Sequence, residues 1–248
     1  MSFNLRSWLF GAGGGGLALA SLTALIYFPS YLLWNLFILL GLSLVLSLLA
    51  LGRKRRRCWA EIFLGLVIII GNFSFVLLLA GTPVRWAMLG IAALMTALWS
   101  WNLASSQING GLNRGLGLIS LFFIAYGLDT IGNFFSLAQW QIMAAFFVLS
   151  LMVAGPALSV LGEISAKVWL HSLVVALALT QLWWCLGFWP TTLMTKSLIV
   201  VATAYFLLSV ASRELVGSLD AKKTWRYGLL SALIILLALL TSPWVLTS

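Results

Sequence analysis

Acidic side chains are scarce in this chain: Asp and Glu together number 5 in 248 residues, against 14 Lys and Arg, and there is one histidine. General acid–base catalysis therefore has few candidate groups. The sequence contains no His-Glu-x-x-His, no Gly-x-Ser-x-Gly, no Cys-x-x-Cys and no paired carboxylates inside an apolar run, so the common hydrolase, metalloprotease and redox signatures are missing. The expectation is a non-enzymatic protein with no metal site and no indicated cofactor. Cysteine is equally sparse. Cys58 and Cys185 fall near opposite ends of apolar runs, which argues against a disulfide between them.

Charge of either sign is also low. Only 8% of the residues are charged while 62% are hydrophobic, and the mean hydropathy is +1.10. A soluble domain needs a polar shell that this composition lacks. No connection between apolar runs is long enough to fold as a soluble domain, the largest being residues 213–226 with mixed charge. The reading is a single integral membrane domain over residues 1–248.

A spanning helix needs roughly 20 mostly apolar residues. On that length the sequence predicts an all-α polytopic transmembrane bundle of about nine spans, at residues 10–28, 31–51, 59–80, 86–103, 117–136, 140–161, 168–188, 192–212 and 227–245. Residues 7–52 carry no charge and must hold two helices, broken at Pro29-Ser30. An eight-span variant follows if the run around Lys196 is not counted. Ala18-Leu19-Ala20 has the look of a signal cleavage site, yet the preceding stretch is mostly glycine and the apolar run continues past it.

Positive charge sits on one side of this layout. Arg6, the run Arg53, Lys54, Arg55, Arg56 and Arg57, then Arg114, Lys167, Arg213, Lys222, Lys223 and Arg226 fall in connections of one face, and only Arg85 and Lys196 fall on the other. Cytoplasmic loops collect Lys and Arg, so the N-terminus is expected inside and the C-terminus outside. Tight loops and strong charge bias suggest a bacterial inner membrane. A pI near 10.2 does not point to nucleic acid, because the cations sit in short loops rather than on a basic face. Arg53, Lys54, Arg55, Arg56 and Arg57 are instead candidates for anionic lipid headgroups, or serve only to fix topology.

Asp129 is the one carboxylate placed within the hydrocarbon layer, where a charge costs about 2.5–3.5 kcal/mol on insertion scales. Counted by depth, Asn72, Asn133 and Gln181 lie at its level, with Lys196 as a counter-ion at the mouth. Together these five residues form a candidate ion or substrate site in the outer half of the bilayer. The plainer account pairs each with a different helix. Glu163, Lys167 and His171 are spaced four apart and share a helix stripe; histidine suits proton exchange near neutral pH, although an interfacial ion pair would look the same. Glu61 follows Arg57 by four and is most simply its partner.

Gly11-Ala12-Gly13-Gly14-Gly15-Gly16 has the composition of a phosphate-binding glycine loop but follows no strand,. Small residues four apart, Gly11 with Gly15 and Gly14 with Ala18, instead suit close helix packing. The tetrapeptide Ile70-Gly71-Asn72-Phe73 recurs as Ile131-Gly132-Asn133-Phe134, a match short enough to arise by chance in so biased a composition.

Two functions follow. The first is a small permease or channel-like protein. The second is a non-catalytic subunit or assembly factor of a larger membrane complex, with homo-oligomers or partner proteins as its contacts.

Overall fold

The computed structural model describes residues 5–27, 38, 41, 44, 45, 58–78, 84–104, 109–134, 136–159, 165–218 and 220–242. All regular structure among them is α-helical: α1 (Leu5–Tyr27), α2 (Cys58–Leu78), α3 (Val84–Ala104), α4 (Gly110–Phe134), α5 (Gln139–Leu158), α6 (Ala166–Gly187), α7 (Leu193–Leu215) and α8 (Ala221–Thr241). Six of these, α3 to α8, are long and apolar enough to cross a membrane. The protein is a multi-pass helical membrane protein. The expected span at residues 31–51 lies almost wholly outside the described residues; Ile38, Gly41, Leu44 and Val45 are helical.

Helix ends differ most from expectation where polar caps extend the apolar runs. The fifth expected span starts at residue 117, but α4 begins seven residues earlier. Asn109 supplies the reason: its Oδ1 accepts hydrogen bonds from the backbone N–H groups of Gly111 (3.0 Å) and Leu112 (3.2 Å), satisfying donors that a helix start leaves bare. Asp220 does the same for α8, accepting from Lys222 N–H at 3.0 Å, so that helix begins six residues before residue 227. With α7 running on to Leu215, the expected loop at 213–226 shrinks to residues 216–220. Hydropathy sees the apolar stretch; the caps, which are polar, lie beyond it.

The chain forms two compact units, residues 1–120 and 121–248. In the first, α1 packs along α3, and α2 packs on α3. The small-residue face of α1 makes the first of these contacts possible. Gly11, Gly14, Gly15 and Ala18 are all buried, and a Cβ added to Gly15 would lie 2.8 Å from Ala97 Cβ and 3.1 Å from the Ala93 carbonyl. Gly65 of α2 similarly leaves room for the ring of Trp99, a side chain with no exposed surface.

In the second unit, α6 packs on α5 and α7, and α7 on α8. Phe146 of α5 stacks on Trp183 of α6, with centroids 4.9 Å apart and planes 13° from parallel. Helix α8 is the least covered, with only Ser231 and Ala238 buried; its Leu229, Leu233, Leu236, Leu237 and Leu240 are exposed, as suits a helix facing lipid.

Candidate functional site

Asp129 lies on α4, five residues before its end, which is about 7–8 Å along the axis at 1.5 Å per residue,. It is half-buried and makes no hydrogen bond or ion pair among the described residues. Lys196 of α7 is near enough for its positive charge to act on the carboxylate. The lysine has a second role: its Nζ donates to the Gly187 carbonyl at 3.4 Å. Gly187 is the last residue of α6, so the ammonium satisfies a carbonyl at the negative end of that helix dipole.

The turn between α6 and α7 completes this end of the second unit. Thr192 caps α7, its Oγ1 accepting from Thr195 N–H at 3.4 Å and lying 3.0 Å from Thr195 Oγ1. The hydroxyl of Thr191 in the same turn is buried with no hydrogen-bond partner among the described residues. An ammonium, a helix-terminal carbonyl and threonine hydroxyls thus gather where α6 ends and α7 begins, with the Asp129 carboxylate within range of the ammonium's charge. Such a set can coordinate a small cation or relay a proton, with Lys196 competing for the carboxylate.

The other residues expected here are placed differently. Asn72 lies in the first unit, buried on α2, where its Nδ2 donates to the Ala92 carbonyl of α3 at 3.3 Å. This is a helix-to-helix bond of the kind that polar groups make inside membranes. Gln181 is on α6 in the second unit but is exposed. The side chain of Asn133 lies outside the described residues. Of the five, Asp129 and Lys196 are within electrostatic range of one another.

At the opposite ends of α6 and α7, His171 meets a partner that spacing did not predict. Its Nε2 is 3.3 Å from Glu214 Oε2 of α7, while its Nδ1 faces the Lys167 carbonyl at 2.7 Å. Both neighbours are acceptors, so a ring carrying both protons satisfies both. Glu163 lies outside the described residues, and Lys167 is exposed in the first turn of α6. The guanidinium of Arg213 lies over the Tyr227 ring, 5.0 Å from its centroid, and donates to its hydroxyl at 2.5 Å, tying α7 to α8 at the same end.

The first unit holds a buried polar chain that the sequence reading did not assemble. Asn113 of α4 donates to Glu61 Oε1 of α2 at 2.7 Å and accepts from Asn102 of α3, also at 2.7 Å. Asn102 Oδ1 in turn accepts from the Asn109 backbone N–H at 2.9 Å. Glu61, Asn102 and Asn113 are all buried, so each bond forms away from water, where a lost partner is costly. The available signal was Asn109 directly ahead of a helix start; nothing in the spacing joins Glu61 to Asn113 across 52 residues. The basic run at 53–57 lies outside the described residues.

Residues 119–241, almost all of the second unit, are similar to a family described as "Protein of unknown function (DUF5656)". No curated protein and no solved structure matches the chain.

Proposed function

We propose that the chain is a small, non-enzymatic permease or channel-like protein whose translocation site is the polar cluster around Asp129 and Lys196. The observation that carries this reading is a half-buried carboxylate on a membrane-spanning helix, with no hydrogen bond among the described residues and a lysine charge within electrostatic range. An ionisable residue kept at that depth despite its insertion cost is retained for something other than packing. A site of opposed charges can exchange one partner for an incoming ion.

The layout we propose around this site has nine spans in a bacterial inner membrane, with the N-terminus and the basic connections in the cytoplasm. In its support, Lys167, Arg213, Lys222 and Lys223 fall on first or last turns at one end of α6, α7 and α8, with Arg226 in the next turn of α8, whereas Lys196 falls at the other end. Anionic headgroups would meet that basic face.

A second reading, a non-catalytic subunit or assembly factor, is favoured by the uncovered surface of α8. The glycine face of α1 does not add to it, since α3 already occupies that face.

Thiol accessibility tests the first reading. In a background where Cys58 and Cys185 are replaced by serine, Asp129→Cys and Lys196→Cys should react with a membrane-impermeant maleimide, and Phe146→Cys, fully buried, should not. A site closed to the reagent at both positions would refute a water-reached path. Native mass spectrometry from nanodiscs separates the two functions: a stoichiometric protein partner would support the subunit reading instead.

A further inference from the structure

Helices α6 and α7 are tied to each other by a polar contact at each end. At one end Lys196 holds the Gly187 carbonyl. At the other, His171 of α6 meets Glu214 in the last turn of α7, and the geometry makes this contact depend on the charge of the ring. Nδ1 lies 2.7 Å from the Lys167 carbonyl; a carbonyl only accepts, so Nδ1 carries a proton there. Nε2 lies 3.3 Å from a carboxylate oxygen of Glu214, which when ionised also only accepts. The imidazolium, a donor at both nitrogens, makes both contacts at once.

A neutral ring has one proton for these two acceptors. With the proton on Nδ1, a bare Nε2 faces the carboxylate, lone pair against lone pair. With the proton on Nε2, a bare Nδ1 faces the carbonyl instead. The two partners differ in freedom: the Lys167 carbonyl is fixed one turn back on the same helix, whereas the Glu214 side chain is 60% exposed and turns into water at little cost. The neutral ring therefore keeps the bond within α6 and gives up the one that reaches α7.

The surrounding charges leave this role to Glu214. Helix α5, packed on α6, has no ionisable side chain in Gln139–Leu158. Helix α6 brings Lys167, one turn from the ring. Helix α7 brings Arg213 beside Glu214, and the guanidinium donates to Tyr227 of α8. Helix α8 carries Lys222, Lys223 and Arg226 at the same end. Asp220 caps α8, and Glu163 lies outside the described residues.

We propose that His171 and Glu214 form a pH-sensitive latch between α6 and α7, closed while the ring is charged and open once it is neutral. Histidine changes charge between about pH 5 and pH 8, so the latch releases as pH rises through that range. Arg213 keeps the end of α7 on α8, and Lys196 keeps the far end of α6 on α7, so release frees the start of α6 alone. The inference does not rest on the translocation reading, and either can fail without the other.

His171 is the one histidine in the chain, so isotopic labelling of histidine reports on it alone. In the full chain in lipid bilayers, magnetic resonance of the ring nitrogens should show both protonated at about pH 5.5 and, at about pH 8.5, the proton on Nδ1 with Nε2 bare. The latch itself is read by spin labels at Leu170→Cys of α6 and Val216→Cys at the end of α7, both exposed, with Cys58 and Cys185 replaced by serine. Between the same two pH values the ratio of short- to long-distance populations should fall about two- to fivefold, the range for one exposed ion pair. Glu214→Gln should hold the ratio level, because an amide offers an acceptor to the charged ring and a donor to the neutral one. His171→Leu should hold it level at the open value. A wild-type ratio indifferent to pH, a change that survives in either variant, or a neutral ring protonated on Nε2 would each overturn the proposal.

Discussion

Gly15→Ala and Gly16→Ala should change stability by different amounts although the two residues are adjacent. On helix propensity alone both gain up to about 1 kcal/mol, because alanine loses less backbone freedom than glycine. At Gly16 nothing lies within 4 Å of the added methyl, so that gain is kept. At Gly15 the methyl meets Ala97 Cβ at 2.8 Å and the Ala93 carbonyl oxygen at 3.1 Å. Neither is the free end of a flexible side chain, so α1 and α3 must separate. Such overpacking typically costs about 1–3 kcal/mol.

The propensity gain is common to the two variants and cancels in their difference. Gly15→Ala should therefore be less stable than Gly16→Ala by about 1–3 kcal/mol. Reversible denaturation in mixed micelles, followed by tryptophan fluorescence, reads the difference directly. Equal stabilities, or a less stable Gly16→Ala, would refute the crossing of α1 on α3 as the reason for the glycine run.

Asn113→Leu should cost about 1.5–3 kcal/mol in the same assay, the range for a lost hydrogen bond to a charged group, because it strips a partner from buried Glu61 and from Asn102,; a loss below measurement would make that polar chain incidental. Glu214→Gln should cost at most about 1 kcal/mol, since its contact with His171 is largely exposed,, and the loss should shrink in high salt; a larger, salt-independent effect would mean the pair is shielded from solvent. Trp183→Leu should remove the stack on Phe146 and cost about 0.5–1.5 kcal/mol beyond the lost area, which a double-mutant cycle with Phe146→Leu would isolate; additive losses would deny the stacking contribution.

Much of the architecture was legible because a membrane span is written in length and hydropathy alone. The starts of α2, α3, α5, α6 and α7 fall within two residues of the expected spans. Helix α1 starts five residues before its expected span, and the two largest misses, at α4 and α8, arise from Asn109 and Asp220, polar caps that carry helices beyond their apolar cores. Partners were harder to read than elements. Counting along helices gives depth and face but not neighbours, so Asn72 and Asp129, level in the sequence count, belong to different units. Conversely, Glu214 lies 43 residues from His171, and no periodicity links residues on separate helices.

The translocation reading is tested most directly by ion flux in sealed proteoliposomes. With proton, sodium and potassium gradients imposed in turn and followed by dyes responsive to pH and potential, the wild-type chain should dissipate at least one gradient faster than protein-free vesicles. Asp129→Asn should return that rate to the vesicle background at equal incorporation. Lys196→Met, which leaves the carboxylate without its competitor, should alter the rate while sparing incorporation. Wild-type vesicles indistinguishable from empty ones under every gradient, or Asp129→Asn conducting like the wild type, would contradict a translocation site at Asp129.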